Sequence, residues 1–380
     1  MSKLLYRIQL AFALVLVSVV ALAQNSVQPK YNNSSVYTGI EVGSKGVKMS
    51  IVEIGRNAQS TGAFNILKDT TTNTDFISFT GATFSATLNG LCGLYTKALN
   101  DYQIPAKNIF TVVSSGVKMQ AEKDDKTAWV QNLVDSFKAR IHEPNREVEI
   151  VDVATEAKLS HLGIVPNSRR YTTFLLDIGS GNTKGGFFPD GNTKNFKLFQ
   201  INWGTKSTAN AAEKRLEGDN SLGNYQKQLD RVLYGAENSE IIYAVNSSGA
   251  YPLSDNIAVS GGIAWAVATL MYPDQLERPV ISVNFDDVVK FYDRLYKNYP
   301  SVTAEVIAGK GNRNEQNEAV YKAVNQVNKV FDQKAMLAGT GLLIKIMRQF
   351  VSAFDSKQFF LVKNGAVGWV SAYVDENTSK

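Results

Sequence analysis

The chain has 380 residues, with 40 Lys and Arg against 35 Asp and Glu, a formal net charge of +5 and 44% hydrophobic residues. That balance excludes a disordered chain and a nucleic-acid-binding stripe. A single cysteine, Cys92, excludes a disulfide framework or a cysteine-built zinc site within one chain.

Residues 1–23 read as an export signal. Lys3 and Arg7 precede an apolar run over 10–22, and Ala21-Leu22-Ala23 is a small-x-small cleavage site ahead of Gln24. The run is about 13 residues, short of the ~20 that span a bilayer. The expected product is a soluble mature chain, periplasmic or secreted, with no stable membrane anchor. Residues 24–35 read as a flexible leader, and the remaining length suggests two domains.

Residues 36–54 predict a β-hairpin in which Ile40-Glu41-Val42 is a strand, Gly43-Ser44-Lys45 a tight turn, and Lys48 lies on the return. A helix is expected over 85–99, where Leu88, Leu91, Cys92, Tyr95 and Leu99 share a face. A short strand over 109–113 ends in Ser114-Ser115-Gly116-Val117-Lys118. An amphipathic helix over 125–141 turns Trp129, Leu133, Val134 and Phe137 inward. A strand over 148–153 then leads into Glu156-Ala157-Lys158-Leu159 on a helix.

The plan restarts near Tyr171. Leu176-Asp177-Ile178-Gly179-Ser180 continues through Gly181, Asn182, Thr183 and Lys184 into a second apolar run over 185–188, and a third strand ends in Phe199-Gln200-Ile201. This restart sets the expected domains at 36–165 and 166–376. Further on, the strand Asn256-Ile257-Ala258-Val259 runs into Ser260-Gly261-Gly262 and a helix over 263–271. Those glycines either seat an anion on a helix N-terminus or allow tight strand-helix packing. Helices dominate from 286, with a polar break over 309–318, and 359–362 and 367–373 are late strand or helix elements.

One acid-x-Gly-Ser turn is ordinary turn chemistry. Two point to phosphate, because glycine lets backbone N–H groups approach an anion, serine adds a hydroxyl, and the carboxylate can hold a divalent cation through water. Lys118 and Lys206 are either phosphate contacts or solvated lysines. His142 and His161 are the only histidines, and neither has a spacing that ligates a metal or activates a nucleophile, so both read as structural or surface groups.

These segments, in this order, resemble the exopolyphosphatase and guanosine pentaphosphate phosphatase (Ppx/GppA) family of the actin-like ATPase superfamily. Glu41-Val42-Gly43-Ser44-Lys45-Gly46 resembles the family's first phosphate motif, Asp-hydrophobic-Gly-Ser-Asn-Ser. Ser114-Ser115-Gly116-Val117-Lys118 is similar to Thr-Ser-Ala-hydrophobic-Arg, and Glu156-Ala157-Lys158-Leu159 to Glu-Ala-Arg-Leu. The second motif, Asp-Ile-Gly-Gly-Gly-Ser-Thr-Glu, looks like Asp177 to Lys184. Ser260-Gly261-Gly262 and Leu337-Ala338-Gly339 resemble later glycine segments.

The resemblance implies an α/β fold of two ribonuclease-H-like domains, each a five-stranded mixed sheet with helices, around an interdomain cleft. It implies Glu156 as catalytic base and Asp177 with Glu41 as carboxylates associated with Mg²⁺, or alternatively Mn²⁺. It implies phosphate contacts from Gly43, Ser44, Lys45, Ser115, Lys118, Gly179, Ser180, Gly181, Asn182, Thr183, Lys206, Gly261 and Gly262. A homodimer is the family's assembly to look for.

The chain also departs from the family. Glu41 replaces aspartate, and Lys118 and Lys158 replace arginines, which keeps the charge but loses the bidentate fork. Gly365-Ala366-Val367-Gly368-Trp369 lacks both charges of Gly-Leu-Arg-Glu-Gly. Lys184 replaces a glutamate, and its ammonium either pairs with phosphate directly or removes the cation site.

The expected function is an exported phosphoanhydride hydrolase releasing terminal phosphate from inorganic polyphosphate or a related polyphosphorylated substrate. The alternative is a catalytically degenerate relative that binds polyphosphate or nucleotide, or serves as an envelope scaffold.

Overall fold

The computed structural model describes residues 27, 29–30, 32–44, 46–55, 64–311, 314–352, 355–363 and 365–378, so the expected export signal, part of the leader and Lys45 lie outside the described residues. The chain forms two compact units, the first running up to Val151 and the second taken up from Asp152. The end of the leader is anchored: the buried Glu53 carboxylate accepts from the Lys30 N–H at 2.7 Å and from the Ser34 hydroxyl at 2.5 Å.

In the first unit β1 (Ser35–Gly43) and β2 (Gly46–Ile54) form the expected antiparallel hairpin, with Glu41 opposite Lys48 and Gly43 opposite Gly46. β3 (Phe64–Asn73) pairs with β2, β4 (Ile109–Val113) lies parallel to β1, and β5 (Val148–Ile150) parallel to β4. The sheet order is therefore β3-β2-β1-β4-β5. As the central strand, β1 is covered on both faces, which explains its nearly continuous burial from Thr38 to Gly43.

Three helices cover the first sheet: α1 (Gly81–Asn100), α2 (Ser115–Lys123) and α3 (Thr127–Arg140). A capping box between Thr80 and Thr83 starts α1 several residues before the apolar stripe begins. Ile40, Val42, Leu91, Leu133 and Phe137 meet in one core, with Trp129 half-buried at its rim.

The second unit opens with α4 (Val153–Ile164), the helix carrying Glu156, so this helix packs with the second sheet although the sequence placed it before the restart. Next come β6 (Thr173–Ile178), β7 (Thr183–Phe187), β8 (Lys197–Ile201), α5 (Thr205–Glu213) and α6 (Leu222–Ala236). After a π-helical turn over Glu237–Ile241 follow α7 (Ile242–Ser248), β9 (Asn256–Ser260), α8 (Gly262–Met271), β10 (Val280–Val283) and α9 (Phe285–Lys297). The chain closes with α10 (Glu315–Val330), α11 (Gln333–Arg348), β11 (Gln358–Val362) and α12 (Gly365–Thr378).

The second sheet has the order β10-β11-β9-β6-β7-β8. Its meander β6-β7-β8 and parallel strands β9 and β11 repeat the first sheet. The antiparallel edge strand β10 is an addition, giving six strands where five were expected. Ile281 and Val283 are its inward residues. A large apolar core holds Phe174, Leu229, Val267 and Leu342. Among the described residues, no helix is long and apolar enough to cross a membrane.

On α4 and α12 two glycines bring backbones into contact. A Cβ on Gly163 would lie 1.9 Å from the Gly368 carbonyl oxygen, and one on Gly368 would lie 2.3 Å from Ile164. Because the obstacle is backbone, Gly163→Ala should cost more than ~2 kcal/mol in denaturant unfolding. Gly93→Ala, on an exposed part of α1 with nothing within 4 Å of the new methyl, should be neutral or gain about 0.5–1 kcal/mol.

Candidate functional site: two acid-glycine-serine turns

The first turn is built by the β1–β2 register. Glu41 is 6% exposed, and its Oε2 lies 4.0 Å from the ammonium of Lys48, its cross-strand partner. The carboxylate folds over the turn, since a Cβ on Gly43 would meet Glu41 Oε1 at 3.3 Å. Because β4 runs parallel to β1, with Val42 beside Val113, its end delivers the N-terminus of α2 to the same place. The Ser114 N–H donates to the Val42 carbonyl at 3.0 Å, and Ser44 Oγ lies 3.3 Å from where a Gly116 Cβ would stand. Ser44, Ser115 and Gly116 are thus adjacent. Lys118 projects from the first turn of α2 and is partly exposed.

The second turn repeats this arrangement and adds a support. The Gly179 N–H donates to the Asn182 carbonyl at 3.0 Å, closing the turn. The Gly179 carbonyl accepts from the Thr205 N–H at 2.9 Å, and the Ser180 carbonyl accepts from Lys206 at 2.8 Å and from Ser207 at 3.1 Å. The turn therefore rests on the N-terminus of α5, whose unpaired donors its carbonyls satisfy. Gly204 makes this possible: a Cβ there would lie 2.6 Å from the Gly179 carbonyl oxygen and 2.7 Å from the Asn182 nitrogen. Sequence reasoning missed Gly204, whose signal is a glycine just before a helix in the short link that follows a strand.

Around Asp177 three further groups converge. Ser260 lies beside it across β6–β9 and its hydroxyl donates to Asp177 Oδ1 at 3.2 Å. Gly261 adopts φ +96°, and a Cβ there would stand 2.3 Å from the Ile178 carbonyl oxygen and 2.8 Å from Asp177 Oδ1. The tight-packing reading of Ser260-Gly261-Gly262 is what the geometry shows, since Gly261 permits this close approach and places the N-terminus of α8 beside the acid. Gly365 extends the assembly, because its start of α12 packs directly on Ser260.

Thr183 is fully buried and donates its hydroxyl to the Trp203 carbonyl at 2.7 Å, so its observed role is to join β7 to the segment ahead of α5. Ser180, Gly181 and Lys206 are exposed at the turn.

Glu156 sits on α4, capped by Asp152, which accepts from the Thr155 N–H at 2.7 Å. Its Oε1 lies 2.5 Å from Lys184 Nζ, and the two side chains are only 5% and 8% exposed. Lys184 is also the cross-strand partner of Asp177. The second unit thus holds an ammonium against one carboxylate, Glu156, on the strand paired with that of the other, Asp177. This donor set does not fit a divalent cation, which takes oxygen ligands and gains nothing from an ammonium in its first shell. Among the described residues, no group of three or more His, Cys, Asp and Glu could hold a metal.

His161 confirms its structural reading. Its ring is fully buried, edge-on to Phe188 with centroids 4.9 Å apart, and Nε2 lies 2.9 Å from the Thr173 carbonyl oxygen. Burial, with some help from Arg170, pushes its pKa down to about 4 against the pull of the Thr173 bond. The unfolded chain therefore binds the extra proton first. Stability should be full above pH ~6.5 and fall by up to ~3 kcal/mol as pH drops towards 4. Denaturant unfolding across that window should show the slope in the wild type and a reduced one in His161→Gln.

No protein-family model and no curated protein sequence matches the chain. Solved structures do match. The Aquifex aeolicus member of the Ppx/GppA family is similar with a TM-score of 0.60 at 15% identity, covering 90% of this chain and 99% of that one. An exopolyphosphatase from Cytophaga hutchinsonii matches with a TM-score of 0.55 at 13% identity, over 90% of this chain and 98% of its own. An exopolyphosphatase-like protein gives 0.57 at 13% identity, over 91% and 99%. The chain has the mixed α/β, actin-like fold of these structures.

Proposed function

We propose that the chain is an exported phosphoanhydride hydrolase that removes terminal phosphate from inorganic polyphosphate or a related polyphosphorylated molecule. The observation that carries this reading is the duplication of one local device. In each unit the first hairpin of the sheet ends in acid-x-Gly-Ser, and the neighbouring parallel strand brings a helix N-terminus beside it. Similarity to structures named for exopolyphosphatases supports the substrate class. The export part rests on residues 1–23, and an exported protein meets polyphosphate more readily than cytosolic nucleotides.

In this reading Glu156 is the base. A water molecule gives its proton to the Glu156 carboxylate while its oxygen forms a bond to the terminal phosphorus. The bridging P–O bond breaks, and its electron pair leaves with the shortened chain. Backbone N–H groups of the second unit's turn, with Lys184 and Lys206, offset charge on the phosphoryl oxygens. Mg²⁺ is the ion implied by the family motifs, but Glu156 already holds the Lys184 ammonium on the strand paired with Asp177, so charge on the leaving phosphate falls to the lysines.

A second reading, a phosphate-chain-binding protein without turnover, is favoured by one contact. The 2.5 Å pair with Lys184 engages Glu156 before any substrate arrives. Orthophosphate release from polyphosphate by the purified protein separates the two. Turnover that falls ~10²- to 10⁴-fold in Glu156→Gln supports hydrolysis, provided the variant is still folded at the assay temperature. A fall of less than roughly threefold removes Glu156 from the role, and saturable binding without any release supports the second reading.

A further inference from the structure

We infer that the Lys184 ammonium takes the place of a divalent cation in the second unit, so that this turn receives phosphoryl oxygens without a metal ion. Three observations converge. Lys184 faces Asp177 directly across the β6–β7 ladder, so both side chains project from one face. Its Nζ lies 2.5 Å from Glu156 Oε1, with both side chains more than nine-tenths buried. Asp177 Oδ1 in turn accepts the Ser260 hydroxyl, and Gly261 closes on the same oxygen so tightly that a Cβ would lie 2.8 Å away.

An ammonium has three donors and no lone pair, so it cannot join a coordination shell and can only occupy its position. A second cation held by Asp177 and Glu156 would have to share Glu156 with that ammonium in a desolvated setting, where repulsion between like charges is weakly screened. Lysine is itself a compact point charge suited to phosphate. Its position against Glu156, on the strand paired with Asp177, gives the incoming anion a positive centre that the fold already holds.

The nature of the ligand rests on the phosphate reading above; the exclusion of metal from the acids does not. Two titrations of the purified protein test the inference separately from that reading. In the first, Mn²⁺ is added alone and followed by electron paramagnetic resonance. The wild type should show no saturable site tighter than about 1 mM, whereas Lys184→Glu, which turns two acids and a cation into three acids, should gain one at ~10–100 µM. Lys184→Gln removes the charge on a side chain one atom shorter and should gain a weaker site, which covers the case in which the glutamate variant fails to fold. A wild-type site below ~0.1 mM that Asp177→Asn removes would overturn the inference. So would the absence of any gained site in a folded Lys184 variant.

In the second titration, tripolyphosphate binding is measured calorimetrically in EDTA and in Mg²⁺. Affinities within about threefold of each other, with a loss of at least ~10-fold in Lys184→Gln, support the inference. A wild-type affinity that collapses in EDTA overturns it. Absence of tripolyphosphate binding in both buffers would defeat the phosphate reading, and the Mn²⁺ titration would still decide the metal question.

Discussion

A buried ion pair between Lys184 on β7 and Glu156 on α4 fixes a helix to a sheet beside the second acid-glycine-serine turn. Taking two charges out of water costs several kcal/mol per ion, and close geometry with further bonding is needed to recover it. Removing either partner strands the other, at about 3–5 kcal/mol. The candidate base therefore has two duties. It closes the face of β7 as a structural group, and it is the carboxylate nearest the cation that an anion would seek. Any account of its reactivity has to begin from the pair rather than from an isolated glutamate.

The two sheets show why the same local device arises twice. An antiparallel meander followed by a parallel strand beside its first member brings the first hairpin turn and the next helix N-terminus to one end of the sheet. Val42 beside Val113 in one unit and Asp177 beside Ser260 in the other are this rule written in residues. Carboxyl ends of parallel strands are where ligands collect in open α/β sheets. Topology thus supplies the position, and the glycines supply the approach.

Much of this was legible beforehand. Strongly apolar strands such as 109–113 and 256–260, and glycine turns bounded by them, stand out because burial on both faces leaves little compositional freedom. β3 did not, because it runs through Thr70, Thr71 and Thr72 with its outward side in solvent. β10 did not either, being a four-residue edge strand with only two inward residues. The affiliation of α4 was hidden for another reason. Its apolar residues announce a helix, but of the partners that hold it β7 lies beyond the restart and α12 far along the chain. At the site, Asp177 and Gly261 were readable from their motifs, whereas the Lys184–Glu156 contact needed the fold, since 28 residues separate its partners. Gly204 escaped notice because its constraint is the backbone of a turn more than twenty positions earlier.

The backbone-to-backbone seat of α12 on α4 has a consequence for the order in which the molecule can be made. Glu156 belongs to a helix made before any strand of the second sheet, while the helix against which that one rests follows β11. Until α12 has been made, α4 lacks the surface that Gly368 provides. That corner of the second unit is therefore completed only after the strands of both sheets have been made.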